Sequence, residues 1–414
     1  MMQLQSSWRF ARLVLIGAAL LHCCGACDRS SDSAKKDQNT KSRIDDLRGL
    51  PYAGTVVGDD PEHVGVVYVD PQRTEPGYNL VTLAQLSEAV LIDAEGQTIK
   101  SWSISPSRRW SHCILTPSGD LYALGADNVN PPQPHVTAKA RYLAHFNWDG
   151  ELVSKHQLPV HHDVELQPNG NVLALTFDSR IIPEVHKTIT SRNDTISEIS
   201  PRGTVVHRLS LYEALSNATD GFKLQEVAPK KWGRSQIIDL FHANSIETMR
   251  RRDLAEKNPI FGLDNILVCI RHQDTIAIID RKSEKAIWTW GQNEISGPHD
   301  ATVLDNGHIL LFDNGLGRDW SRVIELDPVT KKIVWEYKAK NPTDFYTKSR
   351  GSSQRLPNGN TLIAESERGH AFEVTSNGEI VWDYYSPFED ESGERSTLGR
   401  IRRYPIEFIE AIEK

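Results

Sequence analysis

In the stretch GPHDATVLDNGHILLFDNG at positions 297–315, His299 and Asp300 stand just before an apolar run. The rest of the stretch reads as two short β-rich segments around Asp305-Asn306-Gly307, where Asn-Gly is expected to supply the positive φ angles of a hairpin turn. That hairpin does not need the His-Asp pair. Counting back from the equivalent Asn-Gly turn of HHDVELQPNGNVL reaches His162, and a third related segment, FHANSIE, supplies His242. The same position is Ser111 and Gly351 elsewhere in the chain. A neutral imidazole is a competent nucleophile near pH 7, a proton carrier in the physiological range and a ready metal ligand, so these three histidines are the first candidates for chemistry. In the doublet His161-His162, the two-residue period of a strand selects His162 as the partner of His299. Asp300 is open to two readings, holding the tautomer of His299 or capping a turn.

The elements that position these residues repeat. SHCILTPSGDLYAL, HDVELQPNGNVLAL, HDATVLDNGHILLF and GSSQRLPNGNTLIA are each strand, tight turn, strand. Six further hairpins, from AVLIDAEGQTIKSWSI to AFEVTSNGEIVWDYY, follow as second half-units, and Trp288, Trp335 and Trp382 recur every 47 residues. Four short strands at a period of roughly 40 to 50 residues are the signature of a β-propeller. The fold class is therefore all-β, a six-bladed propeller with four-stranded blades over residues 60–414. GVVYVD at 65–70 and YNLVTLAQ at 78–85 are expected to begin blade one, whose closure the sequence leaves open. Two insertions interrupt the pattern: 212–240, partly helical, and RRRDLAEKNPIFG at 250–262, expected to protrude from one face. Inner-strand starts surround a central tunnel, which brings the three histidines to one mouth.

Composition narrows the function classes. A formal net charge of −8 over 414 residues argues against a nucleic-acid groove, and the run Arg250-Arg251-Arg252 reads as a solvated insertion tip. Arg9 and Arg12 precede the apolar run LVLIGAALL, a signal-peptide pattern over residues 1–27 that implies export. Gly25-Ala26-Cys27 is similar to a lipoprotein cleavage box, with Cys24 where leucine is usual, so lipidation of Cys27 as a membrane tether and simple cleavage nearby both stand as expectations. Residues 28–59 are a polar linker. Cys113 and Cys269, in apolar runs, are expected to be buried thiols.

Taken together, HHDVELQPNGNVL, FHANSIE followed by ILVCIRHQDTIAIID, and PHDATVLDNGHILLFDNG resemble the bacterial arylsulfate sulfotransferases, periplasmic six-bladed propellers that move a sulfuryl group between phenols. The resemblance covers roughly residues 60–405. It implies that His299 is the nucleophile that is transiently sulfurylated, that His242, Asn244 and Arg271 cradle the sulfuryl oxygens, and that His162 is the remaining catalytic histidine. It implies phenolic sulfate donors, phenol acceptors and no cofactor. The residue types suit that chemistry on their own terms, because a compact anion needs positioning and charge stabilisation, and a planar guanidinium fork matches its oxygens. Two other classes fit the same histidines: an exported binding propeller without catalysis, and a hydrolase with His162, His242 and His299 around a metal such as Zn. Against the metal, Arg271 would repel a cation.

Overall fold

In the computed structural model the described residues are 62–128, 138–232 and 235–414; the expected leader, Cys27 and the linker to residue 59 lie outside them. Among the described residues the strands form six sheets, antiparallel except for one parallel pair in blade three, arranged as the blades of a propeller. Blades two to six take their inner strands in chain order: Arg109–Leu115, Val164–Leu166, Ala243–Thr248, His299–Val303 and Ser352–Arg355.

Blade one is closed from both ends of the chain. Its inner strand is the C-terminal Leu398–Tyr404, hydrogen-bonded to Tyr78–Leu83, which is followed by Glu88–Ile92 and Thr98–Ser103. Gly65–Val69, expected in blade one, instead adds an outer strand to blade six by pairing with Ile380–Tyr385. The interlock satisfies backbone groups that an open ring would leave at its seam.

The hairpin turns repeat one geometry that differs from the expected one. At Asp305-Asn306-Gly307 only the glycine is left-handed, with φ +87°, while Asn306 Oδ1 accepts the N–H of His308 at 2.9 Å. Gly170 and Gly359 repeat it, each with the preceding asparagine's side chain bonded to the residue after the glycine. The tryptophan period also finds its cause. Indole N–H groups of Trp288, Trp335 and Trp382 donate to Pro328, Ser376 and Ala94 carbonyls at 3.0, 2.9 and 2.9 Å, each in the next blade, and Trp102 does the same to Asn147 at 3.1 Å. A buried indole wants a partner for its N–H, and here the partner is always the neighbouring blade's outer turn.

Both insertions have work in the fold. The segment from 212 contains the helix Leu211–Ser216, capped by Ser210, then Lys230–Trp232 and Ser235–Asp239, the latter parallel to Thr190–Ile199 of blade three. It ends by delivering Asp239 three residues before His242. The 250–262 segment does not simply protrude: Leu254 and Phe261 are buried against Leu267 and Ile309, Arg250 pairs with Glu165 of blade three at 2.8 Å, and Arg251 with Asp305 of blade five. It bridges the two blades that flank its own.

Candidate active site

His299 opens the inner strand of blade five and is 4% exposed. Its Nδ1 faces two acceptors, Asn314 Oδ1 at 2.7 Å and the Gly297 carbonyl at 3.0 Å, so Nδ1 carries the proton. Asn314 is itself oriented, because its amide N–H groups donate to the Thr347 and Arg350 carbonyls at 2.9 and 2.8 Å. The lone pair is left on Nε2, which accepts the Arg350 backbone N–H at 3.2 Å. Burial, with the Arg271 charge adding to it, holds the ring well below the usual histidine pKa, and the Asn314 bond only partly opposes them. The ring is therefore neutral and nucleophilic at neutral pH.

His242 is in the left-handed region, φ +51°, directly before the inner strand of blade four. Its Nδ1 donates to Asp239 Oδ2 at 2.5 Å, leaving the Nε2 lone pair as the working nitrogen. Burial outweighs the favourable aspartate and brings His242 down to about 4. His162, φ +58°, donates from Nδ1 to His161 Nδ1 at 2.7 Å; His161 can accept because its own Nε2–H points at the Thr176 carbonyl, 3.1 Å away. His161 is fully buried while His162 is the more exposed of the doublet. The imidazoles make a continuous run, with ring centroids 5.0 Å apart for His161–His162, 5.0 Å for His162–His242 and 4.6 Å for His242–His272.

Arg271 lies in the short 3-10 turn after the strand Ile266–Ile270 and is 2% exposed. Its Nη1 donates to His272 Nε2 at 2.9 Å, and His272 is in turn held by Nδ1–H to the Asp239 carbonyl at 2.5 Å. The guanidinium is thus aimed by the same Asp239 that backs His242.

One role read from the sequence needs correction. Asp300 neither holds the His299 tautomer nor caps a turn: its carboxylate accepts the Ser353 N–H at 2.9 Å and pairs with Arg402 at 2.7 Å and Arg400 at 3.4 Å, deeper in the tunnel. Asp300 is left-handed, φ +54°, in a bulge where the strand shifts register between His299 and Thr302, and this local turn of the backbone sends its carboxylate away from His299. Asn244 brackets His299, donating Nδ2 to the Pro298 carbonyl at 2.8 Å and accepting the Asp300 N–H at 3.3 Å, so one amide hydrogen is left for any substrate oxygen. Sequence reasoning missed Asn314, Asp239, His272 and Arg350. Asn314 sits in the FDNG tail of the opening motif, where it passed for a generic loop residue.

Among the described residues, those whose ligand atoms come within 4.8 Å of one another are Asp239, His242 and His272, not the three histidines weighed from sequence. Both nitrogens of His272 are occupied, one by a guanidinium that a metal ion would have to displace. The donor set does not fit a resident metal.

A neutral imidazole with its lone pair presented, beside a fixed guanidinium, suits transfer of a small anionic group. Residues 138–386 match the arylsulfotransferase (ASST) family, and the chain belongs to that family, a sulfotransferase. No curated protein matches the chain. Among solved structures it is similar to a protein of unknown function from Bacteroides caccae, at 15% identity over 80% of this chain and 99% of that one, TM-score 0.50. It is also similar to a streptogramin B lyase, at 12% identity over 84% and 96%, TM-score 0.45. These likenesses concern the fold.

Proposed function

We propose that the enzyme moves a sulfuryl group from an aryl sulfate to a phenol through a sulfohistidine at His299, without a nucleotide. The observation that carries this reading is the fixed tautomer of His299, with Asn314 on Nδ1 and the lone pair on Nε2. In the first half-reaction Nε2 attacks sulfur, the S–O(aryl) bond breaks, and the electron pair leaves with the phenolate. Arg271 and the Arg350 N–H, released from Nε2 as the N–S bond forms, face the sulfuryl oxygens as donors. In the second, the acceptor phenol loses its proton to His242 Nε2, its oxygen attacks sulfur, and the N–S bond returns its pair to His299. Asp239 stabilises the resulting His242 imidazolium, which protonates the leaving phenolate of the next donor. His162 lines the same mouth with an Nε2 lone pair. Export by the N-terminal segment, with or without lipidation of Cys27, belongs to the same proposal.

Mixing with 4-nitrophenyl sulfate and no acceptor should release about one nitrophenol per active site in a burst, the mark of a two-step covalent path. His299→Ala should lose burst and turnover by at least about a thousandfold with an unchanged thermal unfolding profile. Peptide mass spectrometry at alkaline pH should find the added mass on the His299 peptide. A label on His162 or His242 would reassign the nucleophile, and an active enzyme with neither burst nor label would sink the covalent path.

A further inference from the structure

Beside the histidines lies an arginine that the transfer step does not use. Arg141 opens the third strand of blade two, and its Nη1 donates to the Val160 carbonyl at 3.1 Å, immediately before His161 in the chain. Its guanidinium lies over the Phe177 ring at 5.5 Å, the Arg192 guanidinium lies over the same ring at 4.4 Å, and Phe177 packs 5.8 Å from the His161 ring. Arg192 is matched by Asp194 at 2.9 Å. Arg141 has no such match: among the described residues no carboxylate comes within ion-pair distance of it, and its Nε is buried without a hydrogen-bond acceptor. Burial and then repulsion from Arg109 and Arg192 push Arg141 well below the ordinary arginine pKa, with only the more distant Asp194 and Asp239 opposing. Its charge is felt at both His161 and His162.

In a chain of net charge −8, a half-buried arginine set beside other arginines is not a consequence of composition. A guanidinium partly withdrawn from water, with its Nε lacking an acceptor and no carboxylate beside it, is a ready partner for an anion. We propose that Arg141 is a specificity subsite for a second anionic group, a carboxylate or further sulfate, carried by the phenol that exchanges the sulfuryl group. The inference rests on the proposed sulfuryl transfer and names its substrate class: aromatic hydroxy acids and their sulfate esters rather than simple phenols. A guanidinium fork takes a carboxylate or sulfate through two parallel N–H donors, which makes the preference one of geometry as well as charge.

The test holds the donor at 4-nitrophenyl sulfate and compares two acceptors, 3-(4-hydroxyphenyl)propionate and its neutral amide. The wild-type enzyme should favour the anion in kcat/KM by about tenfold, the size of one charge-assisted hydrogen-bonded contact. Arg141→Gln should bring that ratio close to unity, and its melting temperature should change little, since the substitution breaks no ion pair. Equal use of both acceptors by the wild type, or a ratio that survives in Arg141→Gln, overturns the subsite. If the wild type shows no nitrophenol burst at all, it is the transfer reading that fails. Calorimetric titration with benzoate then decides the subsite separately: binding that Arg141→Gln loses supports it, and equal or absent binding in both proteins removes it.

Discussion

Two adjacent layers of the tunnel are built from the same sequence motif and behave in opposite ways. In each His-Asp pair, His162-Asp163 and His299-Asp300, the histidine belongs to the mouth and the aspartate to the layer below. The mouth has neutral imidazoles and the fixed Arg271. The lower layer is closed by charge: Arg400 reaches Asp163 at 3.0 Å, Asp300 at 3.4 Å and the Asn244 carbonyl at 3.1 Å, while Arg402 holds Asp300 at 2.7 Å. Both arginines come from the C-terminal strand that closes the ring. Arg400 is therefore matched by two carboxylates and Arg271 is aimed by a neutral histidine, which fits the first to holding blades together and the second to the anion-binding role proposed above.

The same substitution at the two arginines should separate these jobs. Arg271→Lys is expected to lower kcat/KM for 4-nitrophenyl sulfate with phenol by about a hundredfold or more, since the ammonium keeps the charge but loses the planar fork that His272 orients. Arg400→Lys should change turnover of the folded enzyme by less than about threefold, because it touches no reacting group. Paired steady-state kinetics on the two variants would erase the distinction if both lost activity equally.

Stability should show the reverse order. Arg400→Met removes the cation from between two buried carboxylates, and breaking a buried pair on one side costs about 3–5 kcal/mol. Denaturant unfolding should show that loss. A smaller loss than that of Arg271→Lys in the same assay would mean that the lower layer is not what locks the closing strand.

How far the sequence carried this comparison depended on what was periodic. Strand-turn-strand repeats, the Trp288–Trp335–Trp382 spacing and the tunnel histidines are legible because they recur, and recurrence reports blade architecture directly. The closing strand is not legible in that way: LGRIRRY has no hairpin partner nearby in the chain, and its inner place in blade one is fixed only by long-range pairing with Tyr78–Leu83. The same holds for the residues that tune the site. Asp239 arrives from an insertion outside the repeat. Asn314 and His272 lie inside the quoted motifs, but their action on His299 and Arg271 depends on side-chain geometry that the motifs do not spell out. Asp300 was misjudged because adjacency in sequence was read as adjacency in space, and the left-handed bulge that turns its carboxylate away from His299 is not written in the motif.

The smallest expected effect concerns pH, where the two layers should respond with opposite sign. At the mouth, His161, His162, His242, His272 and His299 all have depressed pKa values, chiefly through burial. The unfolded chain, with ordinary histidines, binds more protons below about pH 6.5, so stability falls as pH drops below that value. Glu247, further along the inner strand of blade four, accepts the Val303 N–H at 2.8 Å but is pushed up to about 8, first by burial and then by Glu165. Its folded form holds a proton that the unfolded form releases near pH 4.5, so its contribution is fully present below that value and is lost as pH rises through about 8. Glu247→Gln keeps a neutral side chain of the same shape and removes the alkaline loss. Its melting temperature should exceed that of the wild type by a few degrees at a pH near 9, and the two curves should converge towards pH 5. Parallel curves across the whole range would show that Glu247 is ionised throughout, and that the lower layer differs from the mouth in geometry alone.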